Sequence, residues 1–277
     1  MTPAAVAAAP RIAALPMYDF PEAAAATDAL WAALAAQLRA AGVRDVPAGL
    51  TRDLGQADTW RHPRLLLGQA CEYPLAKSYA SYVRVLATPR YTAPGCAGAL
   101  YRSAIVVRAD DPATTLVGLR ERRCVINELD SNSGMNLLRA AIAPLANGRP
   151  FFASVALSGA HRNSVRLVAE GRADVAAIDC VSFAHIGRAA PGLTARLRIL
   201  AWTPATPCLP LVTARTSDGV PLPILRAALA AVSRDPALAA VRERLFLGGF
   251  DLDPDDSFAA VLRLEREAAE LGYPVLQ

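Results

Sequence analysis

Two periods alternate along the chain. Short apolar runs predict strands at Ile12–Met17, Leu65–Leu67, Tyr82–Ala87, Ser103–Arg108 and Arg123–Asn127. Further runs predict strands at Phe151–Leu157, Asp174–Ile178, Leu197–Trp202 and Leu209–Thr213. Between them the spacing turns helical. Leu30, Trp31, Leu34 and Leu38 recur on one face of a segment opened by Asp19-Phe20-Pro21 and ended by Gly42. Gly134–Leu145, Arg162–Glu170 and Cys180–Arg188 carry the same period. After Pro210 the character changes, and Pro221–Ser233, Pro236–Leu247 and Asp255–Leu271 predict three helices in succession. Strands alternating with helices predict an α/β fold with mainly parallel sheets and right-handed crossovers.

Composition narrows the class. Hydrophobic residues make up 53% and charged residues 19%, which excludes a mainly disordered chain. A net charge of +4 is too mild for a nucleic-acid binder, which concentrates basic charge on one face. The apolar stretch from Ile199 to Ala214 is broken by Pro204, Pro207 and Pro210, and a spanning helix needs about 20 apolar residues, so no membrane-spanning segment is expected. The first residues, MTPAAVAAAP, lack a basic leader and a long apolar stretch. The expected location is therefore cytoplasmic, or periplasmic where a leader has been removed. Cys71, Cys96, Cys124, Cys180 and Cys208 form no C-x-x-C pair, so a zinc site is not expected and free thiols are. No metal or cofactor is assigned.

Common catalytic signatures are missing. There is no G-x-G-x-x-G after a strand, no phosphate-cradling G-x-x-x-x-G-K-[ST], no H-E-x-x-H and no G-x-S-x-G. No catalytic residue is assigned. The strongest local feature is Asn127-Glu128-Leu129-Asp130-Ser131-Asn132-Ser133-Gly134, which leaves a strand and enters a helix. Hydroxyl groups and N–H groups at a helix start suit an anion, and the same serines also suit a helix cap. His161 follows Ser158-Gly159-Ala160 at a second helix start, as a ligand donor or a cap. Asp179 ends the run Ala173–Ile178, where open α/β sheets bind ligands, and it also suits the cap of the next helix. Tyr73, in Cys71-Glu72-Tyr73-Pro74-Leu75, and Tyr18 offer phenols from the first half of the chain.

Met17-Tyr18-Asp19, Cys71-Glu72-Tyr73-Pro74-Leu75, Ser131-Asn132-Ser133-Gly134 and the block from Gly159-Ala160-His161 to Ala176-Ala177-Ile178-Asp179 occur in this order. Together they resemble the phosphate, phosphite and phosphonate substrate-binding proteins of ABC transporters. The resemblance implies a two-lobed, periplasmic-binding-protein-like fold of type II, each lobe a mainly parallel sheet flanked by helices. It places lobe one at 11–100 plus 208–277, with the C-terminal helices on it, and lobe two at 101–207. The chain is expected to cross near Leu100–Arg102 and Pro207–Leu209. The implied function is binding of a small oxyanion or organophosphonate between the lobes, with an ABC permease as partner. A cytosolic enzyme or a ligand sensor on the same fold is the alternative. The implied ligand-binding residues are Ser131, Asn132, Ser133, Gly134 and His161, with Tyr18, Tyr73, Tyr101 and Asp179. Glu72 beside this set is expected to favour ligands that also carry a cation.

Overall fold

A computed structural model describes residues 10–216, 219–254 and 258–277. The N-terminal segment read for a leader and Asp255, the expected start of the last helix, lie outside the described residues. The strands form two five-stranded sheets and a two-stranded link. The first sheet contains β1 (Ile12–Ala14), β2 (Leu65–Gln69), β3 (Val83–Tyr91), β11 (Leu211–Ala214) and β12 (Leu247–Asp251), in the order β1-β2-β11-β3-β12. The second contains β5 (Ser103–Arg108), β6 (Arg123–Ile126), β7 (Ser154–Leu157), β8 (Val175–Asp179) and β9 (Leu197–Trp202), in the order β7-β6-β8-β5-β9. Short strands β4 (Leu100–Tyr101) and β10 (Thr206–Pro207) pair antiparallel where the chain passes between the sheets.

Both sheets are mixed. β1 and β2 run parallel, whereas β11 returns between β2 and β3 and β12 returns along the far end of β3. In the second sheet β7, β6 and β8 are parallel neighbours, and β5 alone runs against its neighbours β8 and β9. Both patterns are built from α/β units, with helices burying each sheet face.

On the first sheet, Leu30, Trp31, Leu34 and Leu38 of helix Ala24–Ala40 meet Leu225, Leu229 and Val232 of helix Leu222–Arg234. Burying each such side chain contributes about 1.5–3 kcal/mol. The second sheet is covered on one face by Val165, Val168 and Ile186, and on the other by Leu138, Ile142 and Phe151.

Several elements depart from the sequence expectation. Phe151 and Phe152 are buried outside any strand, their N–H groups bonded to the Gln277 carbonyl. The expected helix 236–247 is a short 3-10 turn and helix Ala239–Arg244, after which Leu247 begins β12. The Gly248-Gly249 pair hides that strand from a periodicity argument. The placement of the C-terminal helix on lobe one is also corrected. Val261 and Ala268 of helix Ala259–Glu270, with Tyr273 and Leu276, join the core around Ile142 and Phe151 of the second sheet. Arg139 Nη1 donates to the Pro274 carbonyl at 2.7 Å and fastens the tail there. Amphipathic spacing shows that a helix has a buried face, and packing decides against what.

Candidate functional site

Three adjacent parallel strands, β7, β6 and β8, deliver the polar groups of a cleft at their carboxyl ends. Asn127 to Ser133 follow β6, His161 follows β7, and Asp179 ends β8. The cleft holds about 540 Å³. Its far wall comes from the first sheet's loops, including Met17, Tyr18, Phe20, Cys71 and Leu209.

The turn after β6 caps its helix and links two hydroxyls to an imidazole. Ser131 Oγ accepts the Gly134 N–H at 3.0 Å, and it also lies 3.4 Å from Ser133 Oγ. Ser133 Oγ is 2.8 Å from His161 Nε2. The helix opens with a wide turn, the Ser131 carbonyl accepting from Asn136 N at 3.0 Å, and then continues as Leu137–Ala146. A Cβ on Gly134 would lie 1.7 Å from Asn127 Oδ1, so the bare Cα of glycine lets the Asn127 side chain lie against the helix start. Burial lowers the His161 imidazolium to about 4, so the ring is neutral at pH 7. Its Nδ1 is buried without a hydrogen-bond partner among the described residues.

Asp179 spans the cleft. Oδ1 accepts the Ser182 N–H at 2.7 Å and caps helix Cys180–Ala189, while Oδ2 accepts the Tyr18 hydroxyl at 2.8 Å. The carboxyl is fully buried, and that burial raises it to about 6 against these hydrogen bonds. Tyr18 sits edge-on to Tyr91, ring centroids 5.1 Å apart. At the mouth, Arg162 from the second sheet's side forms an ion pair with Glu22 and lies over the Phe20 ring. Arg188 covers the Phe246 ring and donates to the Glu243 and Arg244 carbonyls.

The cleft wall thus brings together Tyr18, Ser131, Ser133, His161 and Asp179. Four further expected residues lie outside the cleft wall. Asn132 is fully buried: its amide donates to Tyr101 Oη and Thr206 Oγ1, each at 3.1 Å, and accepts from Asn136. It therefore ties the anion turn to the crossing strands β4 and β10. Tyr101 is consumed by the same contact, and it lies outside the cleft wall. Tyr73 turns to the C-terminal helix and donates to Glu265 Oε1 at 2.8 Å. Gly134 serves the close approach to Asn127 and gives its N–H to Ser131. Glu72 is buried in the helical turn Glu72–Pro74, and Cys71 before it and Pro74 within it line the cleft. Residues not singled out by their chemistry also line the wall: Gln56, Asn127, Glu128, Asp130, Arg162 and Ser182. Glu128 and Asp130 were visible inside the turn motif, whereas nothing local marks Gln56.

Over residues 12–257 the chain matches the family described as ABC transporter, phosphonate, periplasmic substrate-binding protein. The chain belongs to this family. Its solved neighbours share the architecture. The binding-protein component of an ABC phosphonate transporter from Pseudomonas aeruginosa has 16% identity and a TM-score of 0.72, covering 95% of this chain and 87% of that one. PhnD1 from Prochlorococcus marinus, solved with methylphosphonate, has 15% identity and a TM-score of 0.71, covering 94% and 98%. A Xanthomonas citri protein solved with ATP has 18% identity and a TM-score of 0.68, covering 94% and 97%. At these identities the neighbours speak to the fold, which is the two-lobed one. No curated protein matches the chain. Membership makes this a substrate-binding component of phosphonate-type ABC transport, rather than the enzyme or sensor alternative. The family is periplasmic, and no helix among the described residues is long and apolar enough to cross a membrane.

Proposed function

We propose that the protein binds a small organophosphonate in the cleft between its lobes and presents the closed form to an ABC permease from the periplasmic side. Lobe one then comprises residues 11–100 and 208–254, and lobe two residues 101–207 together with 259–277. The observation that carries this reading is the linked set Ser131, Ser133 and His161 at the start of helix 132–146. Hydroxyl donors and the positive end of a helix favour a phosphonate group there. Hydrogen bonds to a charged oxygen contribute about 1.5–3 kcal/mol each, which is enough for selective capture.

The wall also carries Glu128, Asp130 and Asp179 against Arg162. Such a balance suits a ligand with a phosphonate at one end and an ammonium at the other. Closure over it brings Tyr18 to Asp179 and Arg162 to Glu22 across the mouth, a hinge motion about β4 and β10. Calorimetry with 2-aminoethylphosphonate, ethylphosphonate, phosphate and sulfate tests the reading. Both phosphonates are expected to bind, the amine-bearing one more tightly. Binding of sulfate with neither phosphonate bound overturns the proposal. Equal affinity for the two phosphonates overturns the ammonium assignment.

A further inference from the structure

Three of the five cysteines gather beside the crossing strands. Cys96 lies between β3 and β4, Cys180 directly follows β8, and Cys208 directly follows β10. Cys180 and Cys208 are buried in one cluster, with Cys96 half-buried against it. Although 84 positions separate them in sequence, Cys96 Sγ and Cys180 Sγ are 3.4 Å apart. The approach is built into the backbone. A Cβ on Gly95, whose φ is +101°, would lie 2.9 Å from Cys180 Cβ and 2.5 Å from the Trp202 ring. Only glycine lets the loop carrying Cys96 come this near to the second sheet's helix.

We propose that Cys96 and Cys180 are a disulfide site, closed by a thiol–disulfide oxidant to tie the loop before β4 to the helix after β8. A movement of about 1.4 Å brings the sulfurs to the bond length of about 2.05 Å. The half-exposed Cys96 meets the oxidant first. Its thiolate attacks the oxidant's disulfide, forms a mixed disulfide and releases one thiol. Cys180 then attacks Cys96 sulfur and releases the second thiol. The two cysteines lose two protons and two electrons, and the oxidant's disulfide takes up both electrons. An oxidising compartment such as the family's periplasm supplies that oxidant.

Contact with Cys180 lowers the Cys96 thiol, but contact with Cys208 and burial outweigh it and hold the thiol up. Contact with Cys96 and then burial push Cys180 up as well. Exchange in the folded protein is therefore slow at neutral pH and accelerates toward pH 9.

The test uses the reduced, folded protein treated with oxidised glutathione, then alkylated under denaturing conditions and analysed by intact mass and peptide mapping. The expected product has one internal disulfide, joining the Cys96 and Cys180 peptides. Its thermal midpoint exceeds that of the dithiothreitol-treated protein by roughly 5–10 °C. In Cys180→Ser, Cys96 is expected to retain glutathione as a mixed disulfide. Five alkylated cysteines in the wild type, a pairing of Cys96 with Cys208, or an internal disulfide at Cys96 in Cys180→Ser each overturns the assignment. The wild-type measurement needs no variant to fold, and no readout involves a phosphonate, so the result is independent of the ligand.

Discussion

Ser133 Oγ stands 2.8 Å from His161 Nε2, joining the starts of two helices that leave the neighbouring parallel strands β6 and β7. Ser131, two residues earlier, spends its oxygen on the Gly134 N–H. The two serines of one turn therefore have separable roles, and replacing each separately distinguishes them. Ser133→Ala is expected to weaken phosphonate binding roughly 10- to 100-fold, since about 1.4 kcal/mol is tenfold, and to cost apo stability about 0.5–1.5 kcal/mol through the lost bond to His161. Ser131→Ala is expected to cost about 1 kcal/mol of apo stability as a lost cap, besides its effect on binding. Paired measurements of Kd and denaturant midpoint check both. An unchanged Kd in Ser133→Ala removes that hydroxyl from the site.

Asn132 holds the turn to the crossing strands through Tyr101 and Thr206. Asn132→Ala leaves those buried hydroxyls and Asn136 short of a partner, at about 1–3 kcal/mol. Urea unfolding is expected to show a clear loss of stability. A stability equal to wild type contradicts the tie.

The Tyr18 hydroxyl supports the buried Asp179 carboxylate across the cleft. Removing that donor in Tyr18→Phe raises the carboxyl further from its folded value of about 6. At pH 7 the folded variant must keep the carboxylate charged with one hydrogen bond fewer, whereas at pH 5 it is protonated and the loss matters less. The destabilisation is therefore expected to be larger at pH 7, about 1–3 kcal/mol, than at pH 5. Equal losses at both pH values refute the link.

His161 and His185 are both lowered to about 4, in each case by burial first. The unfolded chain binds protons near 6.5, before the folded one does, so their contribution is complete above that pH and is lost as pH falls toward 4. Asp179, raised to about 6, works in the opposite direction between about 6 and 4. Two imidazoles against one carboxyl give a net fall in stability from pH 6.5 to 4.5. His185 packs against Phe20 and Phe246, so His185→Phe is expected to keep the aromatic contact and remove about half of the histidine effect. Denaturant midpoints across this range check it. A wild-type midpoint that rises on acidification contradicts the neutral burial of the histidines.

Glu22 pairs with Arg162 at the mouth but is absent from the cleft wall. Half-exposed ion pairs contribute about 0.2–1 kcal/mol. Glu22→Gln is expected to weaken ligand binding about two- to fivefold by favouring the open form. Small-angle scattering of the apo variant is then expected to show a larger radius of gyration than wild type. An unchanged radius and Kd leave the pair without a role in closure.

The alternation of strands and helices is legible from the chain alone, because apolar period and helix-start chemistry are local. The sequence also placed Ser131, Ser133, His161 and Asp179 at the carboxyl ends of strands, where a short apolar run meets a turn. The capping roles of Ser131 and Asp179 were legible for the same reason. Strand β12 was not legible, because Gly248-Gly249 carry no side chains to form a period. Tertiary structure alone decided which face each side chain serves. Asn132 and Tyr101 sit in or near the same motifs as the cleft residues, yet both are consumed by one buried contact at the crossing strands. Tyr73 and the helix Ala259–Glu270 went to each other and to the second sheet, through Glu265 and Val261. The Cys96–Cys180 approach likewise joins residues 84 positions apart. Such pairings depend on the order of strands in the sheets and on close packing between distant segments, and the period of a chain encodes neither.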